Sequence, residues 1–247
     1  TLSRYAIANA AKSTYIMQHW GDNFSSFNTH ATAWWQPYGE FGTTTRKDND
    51  GYFKAIASTT EGKQANFEYV FENNVAGTDN ATSMYLEYTI NLKDVAGTHK
   101  DFTDGTFYRF ANKIYTSIED ILKAYENQSN PFGTDTKDVL LAELKIVDGK
   151  TTATEAELAK FRTDHAIEIF VGGKAYYKTT IDDKFLSYTG RHLIQRNSVY
   201  QLNIKNVYNV GADVPNGDPT TVDPMYYLNV EVTVNPWVLN TIDVDLK

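Results

Sequence analysis

Histidines and carboxylates most often carry catalysis or hold metals, and this sequence spaces them poorly for either. His19, His30, His99, His165 and His192 stand singly, with no spacing that would aim two at one ion. The adjacent acids Glu119 with Asp120, and Asp182 with Asp183, sit in helix-start and turn contexts, so no glycosidase acid and base can be assigned to them. Gly-x-Ser-x-Gly, His-Glu-x-x-His, Gly-x-Gly-x-x-Gly and phosphate-loop patterns are absent. Cysteine is also absent, which removes disulfides, thiolate zinc sites and cysteine nucleophiles. The stretch RKDNDGYFKAIA resembles a calcium loop only until it is aligned. Arg46 then falls at the first ligand position and Ala57 where the bidentate glutamate belongs, so Asp48, Asn49, Asp50 and Gly51 read as a tight turn. The expectation is a non-enzyme with no metal and no cofactor.

A different chemistry is open to AWWQPYGEF. Trp34, Trp35 and Tyr38 could form an aromatic platform on which a sugar ring stacks. On a strand, neighbouring residues face opposite sides, so one tryptophan would be buried and only the other could serve. The structural reading therefore outweighs the binding one. Glycosylation sequons at Asn23, Asn80 and Asn127 matter only in a glycosylating secretory pathway.

The elements that must position these residues are mainly strands. Seventeen Tyr, 13 Phe and abundant Thr in 247 residues favour a β-dominated globular fold with room for a sizeable core. The formal net charge of -8 and the lack of a basic cluster argue against nucleic-acid binding. No run approaches the ~18 apolar residues of a membrane helix.

Three regions follow along the chain. Residues 1–62 have one compact apolar run, RYAIANAAKSTYIM, and then loops rich in Asn, Thr, Gly and aromatics. They are expected to be the C-terminal part of an N-terminal β domain whose beginning lies outside this chain; Thr1 in place of Met makes a processed or truncated product the expectation. Residues 63–247 are expected to form a C-terminal β domain. Within it QANFEYVFENN, with Phe67, Tyr69 and Phe71 alternating, and TSMYLEYTINL, with Met84, Leu86, Tyr88, Ile90 and Leu92 alternating, predict a connected pair of strands. Helices are expected near 117–127, with Ser117 as N-cap, near 136–146, and near 154–164, where Thr154 and Glu157 have capping-box spacing. FVGGKAYYKTTI predicts a hairpin turning at Gly172 and Gly173. RNSVYQLNIKNV faces Tyr200, Leu202 and Ile204 one way, and the last strand aligns Tyr226, Leu228, Val230, Val232 and Val234 until Pro236 interrupts it. Ile242, Val244 and Leu246 then restart the alternation at the chain end.

The order FEYVFEN, TSMYLEYTINL, FYRFANKIYTSIEDILKAY, GKAYYKTTI, RNSVYQLNIKNVYNVG and LNVEVTVNPWVLNTIDVDL resembles the fimbrillins of Bacteroidetes surface fimbriae. The likeness is greater to the Mfa-type shaft subunit of the short fimbriae of Porphyromonas than to FimA-type relatives, and it runs from about residue 67 to the end. The resemblance implies a two-domain, transthyretin-like β-sandwich fold with the N-terminal domain incomplete here. It further implies export as a lipoprotein, proteolytic removal of an N-terminal strand, and filling of the resulting groove by the C-terminal strand of another subunit. Trp237, Leu239, Ile242, Val244 and Leu246 would then form the polymerisation strand. Implied partners are other copies of the subunit, the N-terminal part of its own subunit, anchor and tip subunits, and host or bacterial surface receptors, at a cell-surface fimbria attached to the outer membrane.

Strand donation agrees physically with the tail, since an added strand satisfies a groove's backbone groups while alternate side chains fill its pockets. A head-to-tail contact that does not close produces a filament. The alternatives are that residues 241–247 return as an edge strand of their own domain, that the chain is a secreted carbohydrate- or protein-binding module using Trp34, Trp35 and Tyr38, or, more weakly, that it is a glycan-active enzyme.

Overall fold

The computed structural model describes residues 1–8, 53–56, 68–70, 81–92, 101–183, 186, 193–195, 197–214 and 228–236. The protein is mainly β, with several antiparallel sheets and a few short helices. Strands β1 (Leu2–Ala8), β2 (Lys54–Ala55), β3 (Ser83–Thr89) and β9 (Lys174–Thr180) form a four-stranded central sheet in the order β2-β1-β3-β9. Strands β4 (Phe107–Phe110), β5 (Lys113–Tyr115) and β8 (Glu168–Phe170) form a three-stranded sheet in the order β5-β4-β8. A two-stranded ribbon joins β10 (Ser198–Val207) to β11 (Leu228–Pro236). The short β6 (Ile146–Val147) and β7 (Lys150–Thr151) make a small hairpin between helices α2 (Lys137–Glu143) and α3 (Glu155–His165), with α1 (Ile118–Ala124) preceding them.

The period-two pattern of β3 sorts its side chains onto two faces of the central sheet. Met84, Leu86, Tyr88 and, just beyond the strand, Ile90 and Leu92 join Tyr5, Phe107, Phe170, Ala175 and Tyr177 in one apolar cluster, into which Ile204 and Val210 also pack. Phe107 and Phe170 come from β4 and β8, so this cluster is the filling between the central and three-stranded sheets, the arrangement of a β-sandwich. The two rings are cross-strand partners and stack at 4.5 Å between centroids. One residue along, the pleat turns the partners Tyr108 and Ile169 to the opposite face, where they meet Ile118, Ile121, Leu140, Leu144, Leu158 and Phe161 of the helical layer. Strands β4 and β8 are thus buried on both faces, while β5 forms the exposed margin of the sheet.

Local capping signals account for the starts of α1 and α3. Ser117 accepts a hydrogen bond from Asp120 N at 3.0 Å, and Asp101 receives Ile118 N, so the first turn of α1 is capped from two sides. At α3 the capping box is complete: Glu157 N donates to Thr154 Oγ1 and Thr154 N to the Glu157 carboxylate.

Two strand expectations require correction. The segment at Gly172 and Gly173 does turn, both glycines having left-handed φ of 62° and 70°, but β8 and β9 do not pair as a hairpin. β8 pairs with β4 and β9 with β3. The turn carries the chain between layers, with Gly173 pressed against β3's exit: a Cβ there would lie 2.5 Å from Ile90 O. The second correction concerns the strand around Tyr69. Residues 68–70 form no strand, and Tyr69 is 87% exposed, because β3 already has β1 and β9 as neighbours. Glu68 instead accepts hydrogen bonds from Tyr5 Oη and Lys54 Nζ. Phe67 and Phe71 lie outside the described residues.

β1 and β2, drawn from residues 1–62, share the central sheet with β3 and β9, drawn from residues 63–247. The neighbours of the first strand are therefore identified: Tyr5 lies opposite Lys54 on one side and Leu86 on the other.

Candidate assembly site

The β10–β11 ribbon combines one apolar face with backbone edges that have no further ladder partner among the described residues. Its register runs from Ser198 opposite Pro236 to Val207 opposite Leu228, with a bulge between Ile204 and Asn206. Among the described residues neither strand has a second ladder partner. Val232 is buried with Ile181 and Ile194, and Val70, Tyr200, Leu202 and Val234 pack around them. The opposite face carries Gln201, Glu231 and Thr233 in solvent, with Lys205 Nζ paired to Glu231 at 3.0 Å. One face is thus core and the other wet, as expected of an antiparallel ribbon at a sheet margin.

Polar anchors fix the ribbon's base. Tyr200 Oη accepts from Gln195 N at 2.8 Å and lies 3.5 Å from the buried Asp183 carboxylate. Burial pushes the Tyr200 hydroxyl above the ordinary tyrosine range; the Gln195 N–H opposes that shift and the Asp183 charge adds to it. At the other end of β10, Arg109 of β4 donates to Val210 O at 2.7 Å and forks onto Glu168 of β8. Asp213, 4% exposed, accepts from Ile169 N at 2.9 Å and from Arg162 Nε of α3. The segment following β10 is in this way tied to the three-stranded sheet and the helical layer together.

Pro236 is the last residue of β11. It lies opposite Ser198, the first residue of β10, and proline has no N–H to give to a ladder.

Residues 168–243 match the family model described as "Major fimbrial subunit protein type IV, Fimbrillin, C-terminal". The match begins at the first residue of β8, takes in β9, β10 and β11, and runs seven residues beyond Pro236 (243 against 236). It supports a fimbrillin-type, surface-exposed structural subunit that assembles with other fimbrial subunits. A comparison with curated proteins found no match.

The residues first considered for polymerisation, Trp237, Leu239, Ile242, Val244 and Leu246, lie outside the described residues, as do Trp34, Trp35 and Tyr38. The same holds for the Asp48 to Gly51 turn, for His19, His30, His99 and His192, and for Asn23 and Asn80. Asn127 is exposed just after α1. His165 pairs with Glu143 at 2.8 Å against the Phe161 ring. Glu119 pairs with Lys137, and Asp120 accepts from Thr116 Oγ1, so both members of that acidic pair have structural partners. No group of three His, Cys, Asp or Glu among the described residues could hold a metal ion.

Sequence reasoning missed Arg109, Asp213 and Gly211. Each works through a partner at least 35 residues away (Gly211 against Tyr176), and no local pattern announces such a contact.

Proposed function

We propose that this chain is a shaft-type structural subunit of a bacterial surface fimbria, akin to the Mfa-type subunits, and that it polymerises by donating its C-terminal strand to a neighbouring copy. The observation that carries the proposal is the fimbrillin C-terminal match, which covers the β10–β11 ribbon and extends past Pro236 into the tail. Trp237, Leu239, Ile242, Val244 and Leu246 supply the donated side chains. Burying each fully contributes about 1.5–3 kcal/mol before ordering costs are subtracted, enough for a multi-pocket strand to hold a shaft together. The proposed partners are further copies, the N-terminal part of the same subunit, anchor and tip subunits, and surface receptors, with the fimbria attached at the outer membrane after lipoprotein export. The division of the chain into an N-terminal part to residue 62 and a C-terminal part from 63 is proposed on chain pattern, with β1 and β2 of the first part lying in one sheet with β3 and β9 of the second.

Truncation after Trp237 tests this function. The shortened monomer is expected to fold, with unchanged circular dichroism, and to lose SDS-resistant ladders. Ladders that persist at wild-type level would sink strand donation by the tail.

A further inference from the structure

Among the described residues the central sheet ends on β9, and an uncovered outer edge there would be a row of free N–H and C=O groups, open to strands of other chains. Five residues stand against that edge. Tyr176 and Ala212 exchange both backbone hydrogen bonds, at 2.8 and 2.9 Å, as an isolated antiparallel bridge. In the β3–β9 ladder Tyr176 lies opposite Glu87, so its N–H and C=O point outward, to Ala212, while those of Ala175 and Tyr177 point to β3.

One bridge is too little to hold a segment in place, and further anchors come from β9 itself and from the layers beyond it. Tyr177 Oη donates to Asn209 O at 2.7 Å. Arg109 donates to Val210 O, and Asp213 is held by Ile169 N and Arg162. Gly211 is where the backbones come closest: a Cβ there would stand 2.2 Å from Tyr176 O, so any other residue forces the two apart. Four elements, β4, β8, β9 and α3, therefore converge on residues 209–213.

We propose that residues 209–213 are an edge guard: a latch, anchored by Asp213, Arg109 and Tyr177, that closes the outer edge of β9 against pairing with a second copy of this chain. The latch confines strand addition to other edges. It stands independently of tail donation, since its anchors all lie before residue 214.

Amide exchange and light scattering on the full 247-residue chain test it, with an Asp213→Ala variant. The Tyr176 amide is expected to exchange about tenfold faster or more, while the Ala175 and Tyr177 amides, bonded to β3, keep their protection. The opened variant is expected to self-associate with rising concentration. Adding Lys178→Pro is expected to reverse that association, because residue 178 shares the outward parity of 176 and proline removes an outer-edge donor while leaving the hydrogen bonds to β3, at the cost of the Lys178 contact with the Tyr85 ring. If Asp213→Ala does not fold, Arg162→Met removes one arm while leaving the Asp213 to Ile169 bond, and the same readouts apply. Unchanged exchange at Tyr176 would overturn the latch. Faster exchange without new association, or association that Lys178→Pro leaves intact, would overturn its role as a guard. Truncation after Trp237 reads strand donation and Asp213→Ala reads the latch, so failure of one and failure of the other are separable.

Discussion

Arg4 Nε donates to the Glu87 carboxylate at 3.0 Å across the β1–β3 pair, on the face of the central sheet opposite the sandwich filling. Glu87 is 2% exposed and also accepts from Ser3 Oγ at 2.9 Å and Tyr176 Oη at 3.1 Å, with Lys174 Nζ 3.8 Å away. Three strands thus meet on one carboxylate.

Acid is expected to loosen this junction. Burial alone would raise the Glu87 pKa, but the Arg4 hydrogen bond, the Lys174 and Arg4 charges and the Ser3 hydroxyl outweigh it, leaving the carboxyl below its ordinary range. A group whose folded pKa is depressed contributes stability above its unfolded pKa and loses it as pH falls through the folded value. Stability should therefore decline below about pH 4.3, the ordinary glutamate value. Glu87→Gln should flatten that decline and cost stability at pH 7. Breaking a fully buried pair costs about 3–5 kcal/mol, and Arg4, which keeps some solvent contact, should bring the cost to the lower end or below. Urea melts of both proteins at pH 7 and pH 4 check this; equal slopes with pH would count against it.

Helix α3 is capped well at one end and poorly at the other. Thr154→Ala removes the capping box and should cost about 0.5–2 kcal/mol. Ala166, its C-cap, sits in the left-handed region at φ 53°, a conformation that costs an L side chain about 1 kcal/mol. Ala166→Gly is therefore expected to stabilise by about that amount. Thermal midpoints moving in opposite directions for the two variants are the check.

Tyr108 offers a third test. The residue is fully buried between β4 and the helical layer, and its hydroxyl has no hydrogen-bond partner among the described residues. Burial, then the charges of Asp101 and Asp104, drive its pKa far upward. Removing an unsatisfied buried hydroxyl while keeping the ring is expected to be neutral or to stabilise by about 1–2 kcal/mol. Calorimetry of Tyr108→Phe measures it, and a loss of more than about 1 kcal/mol would show that the hydroxyl is satisfied after all.

The mainly β class was legible in the sequence, as was the facing of β3, because a period-two pattern with a core on one side reads directly along the chain. Ser117 and Thr154 were legible because caps act within three residues. The hairpin at Phe107 to Tyr115 was not. β4 is buried on both faces and shows no alternation, and its two-residue turn puts Ala111 and Asn112 at positive φ in place of the usual Asn-Gly. The Asp148-Gly149 turn between β6 and β7 did carry the standard signal. The pairing of β8 and β9 with separate sheets could not be read locally, since a Gly-Gly turn looks the same whether its arms pair or part. Arg109 and Asp213 owe their roles to tertiary proximity alone.

The ribbon's two faces should respond differently to the same substitution. Val232 is buried against Ile181 and Ile194, while Thr233, one residue on, is exposed. Val232→Ala removes two methyl groups at about 0.8 kcal/mol each and leaves a cavity, so a loss of about 1.5–2.5 kcal/mol is expected. Thr233→Ala should fall within about 0.5 kcal/mol of wild type. If the ribbon instead slipped by one residue, every side chain would change face and the order of the two effects would invert. Denaturant midpoints of the paired variants therefore test the register that places Ser198 opposite Pro236.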